Sequence, residues 1–295
     1  MVVDSTDPDR QASPVLRTRS SVRALSVVDR DEALALCARD PAGNVFVASR
    51  IEDGALSSHP GSLLGYRVDG SLAGMCWASA NIVPVECDDD AIEAVAARIR
   101  RRRRQAASLF GPSTQVEGLW RHLSPSWGPP RSVRASQPLM STSTRPSALG
   151  IASDANVRVA RVDEVDIVLP AAAAMFTDEI GYPPFSGSSR GYRILIEALV
   201  RKGHTFLWRV GDEVLFKADV GSVALGAAQI QGVWLAPRLR GQGRSVSLMA
   251  AATELVMDTV APQATLYVND FNHPARAVYR TLGFTEVGTF TTVLL

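Results

Sequence analysis

The sequence predicts an α/β (α+β) protein of two domains, each a mixed, twisted central sheet flanked by helices. Three observations lead there. The chain has 295 residues, about twice a common domain length of ~150. It is 46% apolar and 21% charged, enough apolar side chain to offset the entropy of ordering a core. Helix-period and strand-period stretches also alternate along the chain, so that each half reads helix, strands, helix, strand, helix, strand. This similarity is one of element order, with no clear repeat in the residues themselves.

Residues 1–20, rich in Ser, Thr, Pro, Asp and Arg, read as a disordered tail ahead of an N-terminal domain over 21–140. Val27–Arg39 has helical spacing, with Asp29 or Asp31 as N-cap. Asn44–Arg50 reads as a short strand. Ser62–Arg67 and Leu72–Ala80 form a hairpin around Val68-Asp69-Gly70-Ser71, because Asp-Gly is a strong turn pair. Asp88–Gln105 is a helix with acids first and arginines last, an order that complements the helix dipole. A strand at Ser108–Gly111 and a helix at Ser113–Leu123 follow. Pro138–Ile151, rich in Ser, Thr and Pro, reads as an inter-domain connection, with the linker over 141–154.

The second domain, 155–295, opens with a strand at Val157–Ala160 and helices at Glu164–Phe176 and Arg190–Lys202. Strands at Thr205–Val210, Glu213–Ala218 and Ala224–Leu235 come next, with Gly211-Asp212 as a tight turn. Ser245–Val260 is a long helix with Met249, Ala252, Val256 and Val260 at helical spacing. Thr265–Val268 is a strand, Pro274–Leu282 a helix and Glu286–Leu295 a closing strand or strand pair.

Composition removes several function classes. Net charge is +1, divided as +2 over residues 1–150 and −1 over 151–295, so neither half offers the basic surface of a dedicated nucleic-acid binder. Of the 31 basic residues only Lys202 and Lys217 are lysines. Bidentate anion contacts would favour Arg, but the abundance of Ala, Val and Gly points to general compositional bias. The run Arg98, Arg100–Arg104 reads as a solvated helix end. No stretch of 18 apolar residues is present to span a membrane. Met1–Ser20 lacks the apolar core of a secretory signal. Cys37, Cys76 and Cys87 show no metal spacing and cannot all pair, which together predict a reduced, cytoplasmic setting. No His, Cys and Asp cluster suggests a metal.

The most informative segment is Val233-Trp-Leu-Ala-Pro-Arg-Leu-Arg240-Gly-Gln-Gly243-Arg-Ser245. A strand leads into a turn with two glycines, and a helix follows at once. Glycine permits the positive φ and the close approach that let backbone N–H groups converge on an anion at a helix N-terminus. The turn lacks the Gly-Lys-Ser/Thr of a nucleotide P-loop. A plain strand–helix turn would need no more than this, and its surroundings decide between the two readings.

In order, the chain runs strand, Arg240-Gly241-Gln242-Gly243-Arg244-Ser245, long helix, strand, Asn272, Ala275, Tyr279, Gly283, Phe284. This order resembles the GNAT family of acyl-CoA-dependent N-acyltransferases over roughly residues 155–295. The first family motif is Arg/Gln-x-x-Gly-x-Gly/Ala, and Ser245 departs from it at the last position. The second, Asn-x-x-Ala-x-x-x-Tyr-x-x-x-Gly-Phe, matches in register. The resemblance implies acetyl-CoA or another short acyl-CoA as co-substrate, no metal and two acetyltransferase-like domains. It implies that the amides of Gly241, Gln242, Gly243, Arg244, Ser245 and Val246 hold the pyrophosphate, with Arg240 at the edge of the turn. Val233, Trp234 and Leu235 would pair with the pantetheine arm. Leu266–Val268 would splay away to leave a slot for the thioester. Asn272 would contact the co-substrate or cap the following helix.

The resemblance also implies direct attack by an amine on the thioester, with Tyr279 as proton donor or hydrogen-bond partner to the departing sulfur. The strand Ala227–Leu235 holds Gln229 and Gln231 but no acid. Glu179 is therefore the expected base, from the segment that lines the family's acceptor pocket, with Asp178 read as a solvated helix end. His204 and His273 read as helix-end residues. The acceptor is an amine of a small molecule, amino acid, peptide or protein. No membrane partner is implied, the charge speaks against nucleic acid, and an oligomer is compatible with the sequence.

Residues 22–137 resemble a second, degenerate copy, as in tandem GNAT proteins, and look like an uncharacterised domain often found before such domains in actinobacterial proteins. Where the phosphate turn should lie, Val83–Asp90 is acidic, and three aspartates at a helix start would repel a pyrophosphate and satisfy the helix themselves. Such a copy would frame the acceptor cleft or mediate assembly. A CoA-responsive regulatory protein is the alternative function. Aminoacyl transfer from a charged RNA is a third, disfavoured by the low charge.

Overall fold

A computed structural model of the chain describes residues 19–101 and 106–295. The tail expected before residue 19 and the arginines at 102–104 lie outside the described residues. The first half runs β1 (Ser20–Ala24), α1 (Arg30–Cys37), α2 (Pro41–Glu52), a short α3 (Ala55–Ser58), β2 (Leu63–Val68), β3 (Ser71–Ala78), β4 (Asn81–Val85), α4 (Asp89–Ile99), β5 (Ser108–Pro112), α5 (Ser113–Trp127) and β6 (Ser132–Thr142). The second runs β7 (Arg158–Val159), α6 (Val165–Ile180), α7 (Arg190–Arg201), β8 (Thr205–Val210), β9 (Glu213–Ala224), β10 (Ala227–Leu235), α8 (Ser245–Thr259), β11 (Gln263–Tyr267), α9 (His273–Thr281) and β12 (Thr285–Leu294). Apart from α3, the two halves repeat one order of elements.

Local chemistry explains most boundaries. Asp69 and Gly70 both take positive φ and close the β2–β3 hairpin, with Val68 opposite Ser71, the geometry a two-residue turn demands. Asp88 caps α4 by accepting from the Ala91 N–H at 2.8 Å. At the end of α7, Gly203 is left-handed and the His204 N–H donates to the Leu199 carbonyl at 2.9 Å, closing the helix in a glycine cap.

The strands form one twelve-stranded sheet in the order β1-β2-β3-β4-β5-β12-β6-β11-β10-β9-β8-β7. Each half lends its last strand to the other. β12 pairs with β5 of the first half, β6 pairs with β11 of the second, and β6 and β12 pair with each other at the centre, all antiparallel. Helices α1, α2, α6 and α7 cover one face. Met75 and Trp77 pack with α1 and α2, whereas Cys76 and Ala78, on the alternate face, pack with α4 and α5. Leu207 likewise packs under α6 and α7, and Phe206 packs with α8 on the far side.

The structure differs from the sequence reading at four places. Asn44–Arg50 is helical, not a strand. Asp40 caps α2 through the Gly43 N–H at 3.0 Å, Pro41 occupies its first turn, and Val45, Val47, Ala48 and Ile51 are buried along with the polar Asn44 and Ser49, so burial does not follow one stripe. Residues 138–142, read as connection, lie in β6, where Leu139 and Met140 are buried. Asn81–Val85 is an additional strand, β4, despite Pro84. The expected strand Ala224–Leu235 breaks at the Leu225–Gly226 turn, where both residues have positive φ.

Candidate active site

β10 and β11 run parallel for only three residue pairs, from Ala227 opposite Gln263 to Gln229 opposite Thr265. Beyond them the strands part, and β10 stays paired with β9 alone. Val233, Trp234 and Leu235 therefore have no strand partner on the β11 side, and all three are half-buried.

A bulge shapes the mouth of this opening. Asp219 stands opposite Gln231 but Lys217 stands opposite Trp234, so β10 carries one extra residue. Gly232 takes a φ of +59° there, and a Cβ on it would lie 2.8 Å from the Asp219 carboxylate and 3.2 Å from Lys217 Nζ and Met175 Cε. Lys217 Nζ donates to Asp219 Oδ2 at 2.5 Å and to the Gly232 carbonyl at 2.9 Å. Both side chains are buried, and Asp219 Oδ1 has no partner among the described residues. This pair was not anticipated. Its signal was one of the chain's two lysines, at i and i+2 with an aspartate inside an otherwise apolar strand, facing a lone strand glycine.

The glycine turn follows β10. Gly241 and Gly243 have φ of +76° and +74°, and nothing lies within 4 Å of a Cβ built on either, so both face open space. Helix α8 starts without a side-chain cap. Its first intrahelical acceptance is by the Arg244 carbonyl, from the Leu248 N–H at 3.2 Å, which leaves the amides of Ser245, Val246 and Ser247 as the orphan donors of a helix start. The side chains around the turn look elsewhere. Arg240 bonds the Leu235 carbonyl at 3.0 Å and the Asp178 carboxylate at 2.9 Å. Gln242 donates to the Arg238 carbonyl at 2.7 Å. The Arg244 guanidinium lies 5.3 Å above the Trp208 ring. Backbone rather than side chain is thus what the turn offers an anion.

The corresponding start of α4 in the first half is closed. Besides the Asp88 cap, Gln115 Oε1 accepts from the Cys87 N–H at 3.0 Å. Here a side-chain cap takes the Ala91 amide, whereas no side chain caps α8.

Tyr279 lies on α9, 7% exposed, its ring 5.9 Å from Phe284. Its hydroxyl has no hydrogen-bond partner among the described residues. Burial pushes its pKa up to about 12, with a smaller contribution from the negative charge of Glu179. Tyr267, at the end of β11, is likewise raised to about 12 by burial, then by Glu179, with Arg134 opposing. Glu179 is thus electrostatically close to both phenols. Its carboxylate is held by Arg134 of β6, with Nη1 at 3.1 Å from Oε1 and Nη2 donating to the Glu179 carbonyl at 2.7 Å. Asn272 serves as the cap of α9, accepting from the Ala275 N–H at 3.3 Å, with His273 and Pro274 opening the helix. His204 lies on the opposite seam, where burial lowers its pKa. No group of three or more His, Cys, Asp or Glu that could hold a metal ion occurs among the described residues.

Two halves of one topology share a sheet, and in the second half an open glycine turn stands beside parallel strands that part. Comparison with known proteins agrees. Residues 174–284 match the acetyltransferase (GNAT) family, and residues 61–168 match a domain of unknown function, DUF4081. The second half of the chain thus carries a GNAT-family match, and the whole chain shares its fold with tandem proteins of that kind. A Bacillus subtilis protein provisionally named ribosomal protein bS18-alanine N-acetyltransferase is 26% identical over 139 residues, covering 45% of this chain and 83% of its own. Among solved structures, a tandem GNAT protein from the clavulanic acid biosynthesis pathway is 15% identical, with a TM-score of 0.55 over 94% of this chain and 98% of its own. A GCN5-related N-acetyltransferase from Sphaerobacter thermophilus is 15% identical, with a TM-score of 0.59 over 92% of this chain and 94% of its own. Among the described residues, no helix is long and apolar enough to cross a membrane.

Proposed function

We propose that the chain is an acyl-CoA-dependent N-acyltransferase that transfers acetyl, or a similarly short acyl group, from acetyl-CoA to a primary amine by direct attack in a ternary complex. One observation carries this reading: the same helix start is open in the second half and capped in the first. A turn kept merely as a strand–helix connection gives no reason to place two open glycines directly before the unpaired amides of Ser245, Val246 and Ser247.

The residues divide the work as follows. The amides of Gly241 through Val246 bind the pyrophosphate, and Arg240, fixed by Asp178, holds the turn against α6. The open edge of Val233, Trp234 and Leu235 pairs with the pantetheine amides. The amine nitrogen forms the C–N bond while the C–S bond breaks. The amine gives up a proton, and the thiolate, once released, takes one from solvent water. Glu179 accepts the amine's proton. Tyr279, kept protonated by its pKa of about 12, lies well above an ordinary thiol near ~8.5. A hydrogen bond to the sulfur is therefore its favoured role, rather than complete proton loss.

The acceptor is an amine of a small molecule, amino acid, peptide or protein. The name of the B. subtilis relative supports a peptide or protein amine among these. Three buried cysteines, none of them in a disulfide, support a reducing compartment, the cytoplasm. A second reading, a CoA-responsive regulatory protein, draws on the engagement of both α6 acids, Asp178 by Arg240 and Glu179 by Arg134. The test is acetyl-CoA titration by calorimetry at pH 7, followed by thiol release with a library of amines. Saturable heat and amine-dependent thiol support the transferase. Heat without thiol from any amine supports the regulator, and absence of both overturns CoA use.

A further inference from the structure

A cavity of about 370 Å³ opens where the exchanged strands meet the second half's own elements. Its walls are Ser132–Ser136 of β6, Glu179 and Ile180 of α6, Asn269, Asp270 and Phe271 between β11 and α9, and Leu294 of β12. One wall thus comes from the first half and the others from the second. The strand exchange is the cause, because β6 belongs to the first half by sequence and to the second by pairing.

Taking the acyltransferase reading as its basis, we propose that this cavity is the acceptor site, assembled by both halves, and that Arg134 is the positioning residue that aims Glu179 into it. The Arg134 guanidinium holds Glu179 at two points, its carboxylate and its backbone carbonyl. Two contacts on one planar group fix both the end of α6 and the direction of the carboxylate. Arg134 is itself only 14% exposed, and Glu179 is 46% exposed and faces the cavity that both line. The negative charge of Glu179 reaches Tyr279, the phenol assigned to the thioester sulfur. The cavity therefore presents a carboxylate that the first half holds in place.

The lining also states what the site takes. It carries two carboxylates, Glu179 and Asp270, against the one guanidinium of Arg134. Phe271 is 70% exposed and Val133 46% exposed, an apolar surface beside the acids. A primary amine on an apolar stem, with no carboxylate next to the amine, fits this surface. A free amino acid would bring its own carboxylate against Glu179 and Asp270.

Kinetics on the full chain test the proposal, with leucinamide and leucine as acceptors and with acetyl-CoA affinity read separately by calorimetry. Arg134→Ala is expected to lower kcat/KM for leucinamide at least tenfold and to leave acetyl-CoA affinity within twofold. Arg134→Lys restores part of the loss, and it is the variant to read where Arg134→Ala fails to fold. Leucinamide is expected to exceed leucine at least tenfold in kcat/KM. In a double-mutant cycle, Glu179→Ala combined with Arg134→Ala costs little more than Glu179→Ala alone, because one residue acts through the other. Unchanged amine kinetics in Arg134→Ala, additive effects in the cycle, or leucine preferred over leucinamide overturn the proposal while the acyltransferase stands. Wild-type protein that neither binds acetyl-CoA nor releases thiol overturns the underlying reading instead.

Discussion

Lys217 and Asp219 form an ion pair sealed inside the sheet, 2.5 Å apart, and Lys217 also satisfies the carbonyl of Gly232 where β10 bulges. The pair therefore locks the bulge that turns the edge of β10 towards the proposed thioester slot. Breaking such a pair leaves a buried, uncompensated charge. Lys217→Met is expected to lower stability by about 3–5 kcal/mol, whereas Lys217→Met with Asp219→Leu should recover much of that loss. Urea unfolding of the two variants checks the difference. Gly232→Ala should be costly as well, because its Cβ would enter the space of both side chains.

The glycine turn can be tested apart from the fold. Gly243 has positive φ and open space around it, so Gly243→Trp costs stability only through the left-handed backbone, about 1–2 kcal/mol. Its bulk would occupy the proposed anion site. The expected outcome is a loss of acetyl-CoA affinity of at least tenfold in calorimetry, with the thermal transition still cooperative.

Tyr279→Phe isolates the hydroxyl. The ring packs against Phe284, so the variant should keep its stability and its acetyl-CoA affinity. Loss of one hydrogen bond to a developing thiolate is expected to lower kcat by roughly tenfold to a hundredfold, measured by thiol release at saturating substrates. An unchanged kcat would remove Tyr279 from the mechanism.

A separate prediction concerns acid stability. Glu164 is 1% exposed and accepts from Arg158, Arg209 and the Arg161 N–H. The Arg158 guanidinium, foremost among these, lowers its pKa from 4.5 to about 2 against the opposing effect of burial. A depressed carboxylate contributes its stability above the unfolded-state value and loses it as pH falls through the folded one. The contribution, about 3 kcal/mol by linkage, should be whole at pH 6 and fade between pH 4.5 and 2. Thermal midpoints of wild type and Glu164→Gln, compared across that window, should converge towards pH 2.

The exchanged strands predict one cooperative unit. β12 borders β5 and β6, so deletion of residues 285–295 should disrupt the first half as well as the second. Calorimetry of the full chain should show a single transition, and the fragment 143–295, deprived of β6 beside β11, should lack a cooperative one.

The sequence by itself determined the elements whose signals are local. The Asp-Gly hairpin, the acid-led start of α4 at Asp88 and the paired glycines Gly241 and Gly243 all depend on backbone preferences within a few residues. They were legible for that reason. The degenerate turn of the first half was legible too, from its three aspartates, one of which caps α4. The helix at Pro41–Glu52 was missed because its buried, β-branched run carries no amphipathic period, and only the Asp40-Pro41 pair marked its start. Tertiary structure alone decided the rest. That residues 138–142 form a central strand, that β6 and β12 change places, and that Arg134 therefore meets Glu179 all depend on which strands find each other across more than a hundred residues. Strand pairing is chosen by the fit of whole faces, and no local residue pattern encodes it. The Lys217–Asp219 pair shows the same division: its two residues were visible in the sequence, but the carbonyl that gives them a role appears only when β10 bulges against β9.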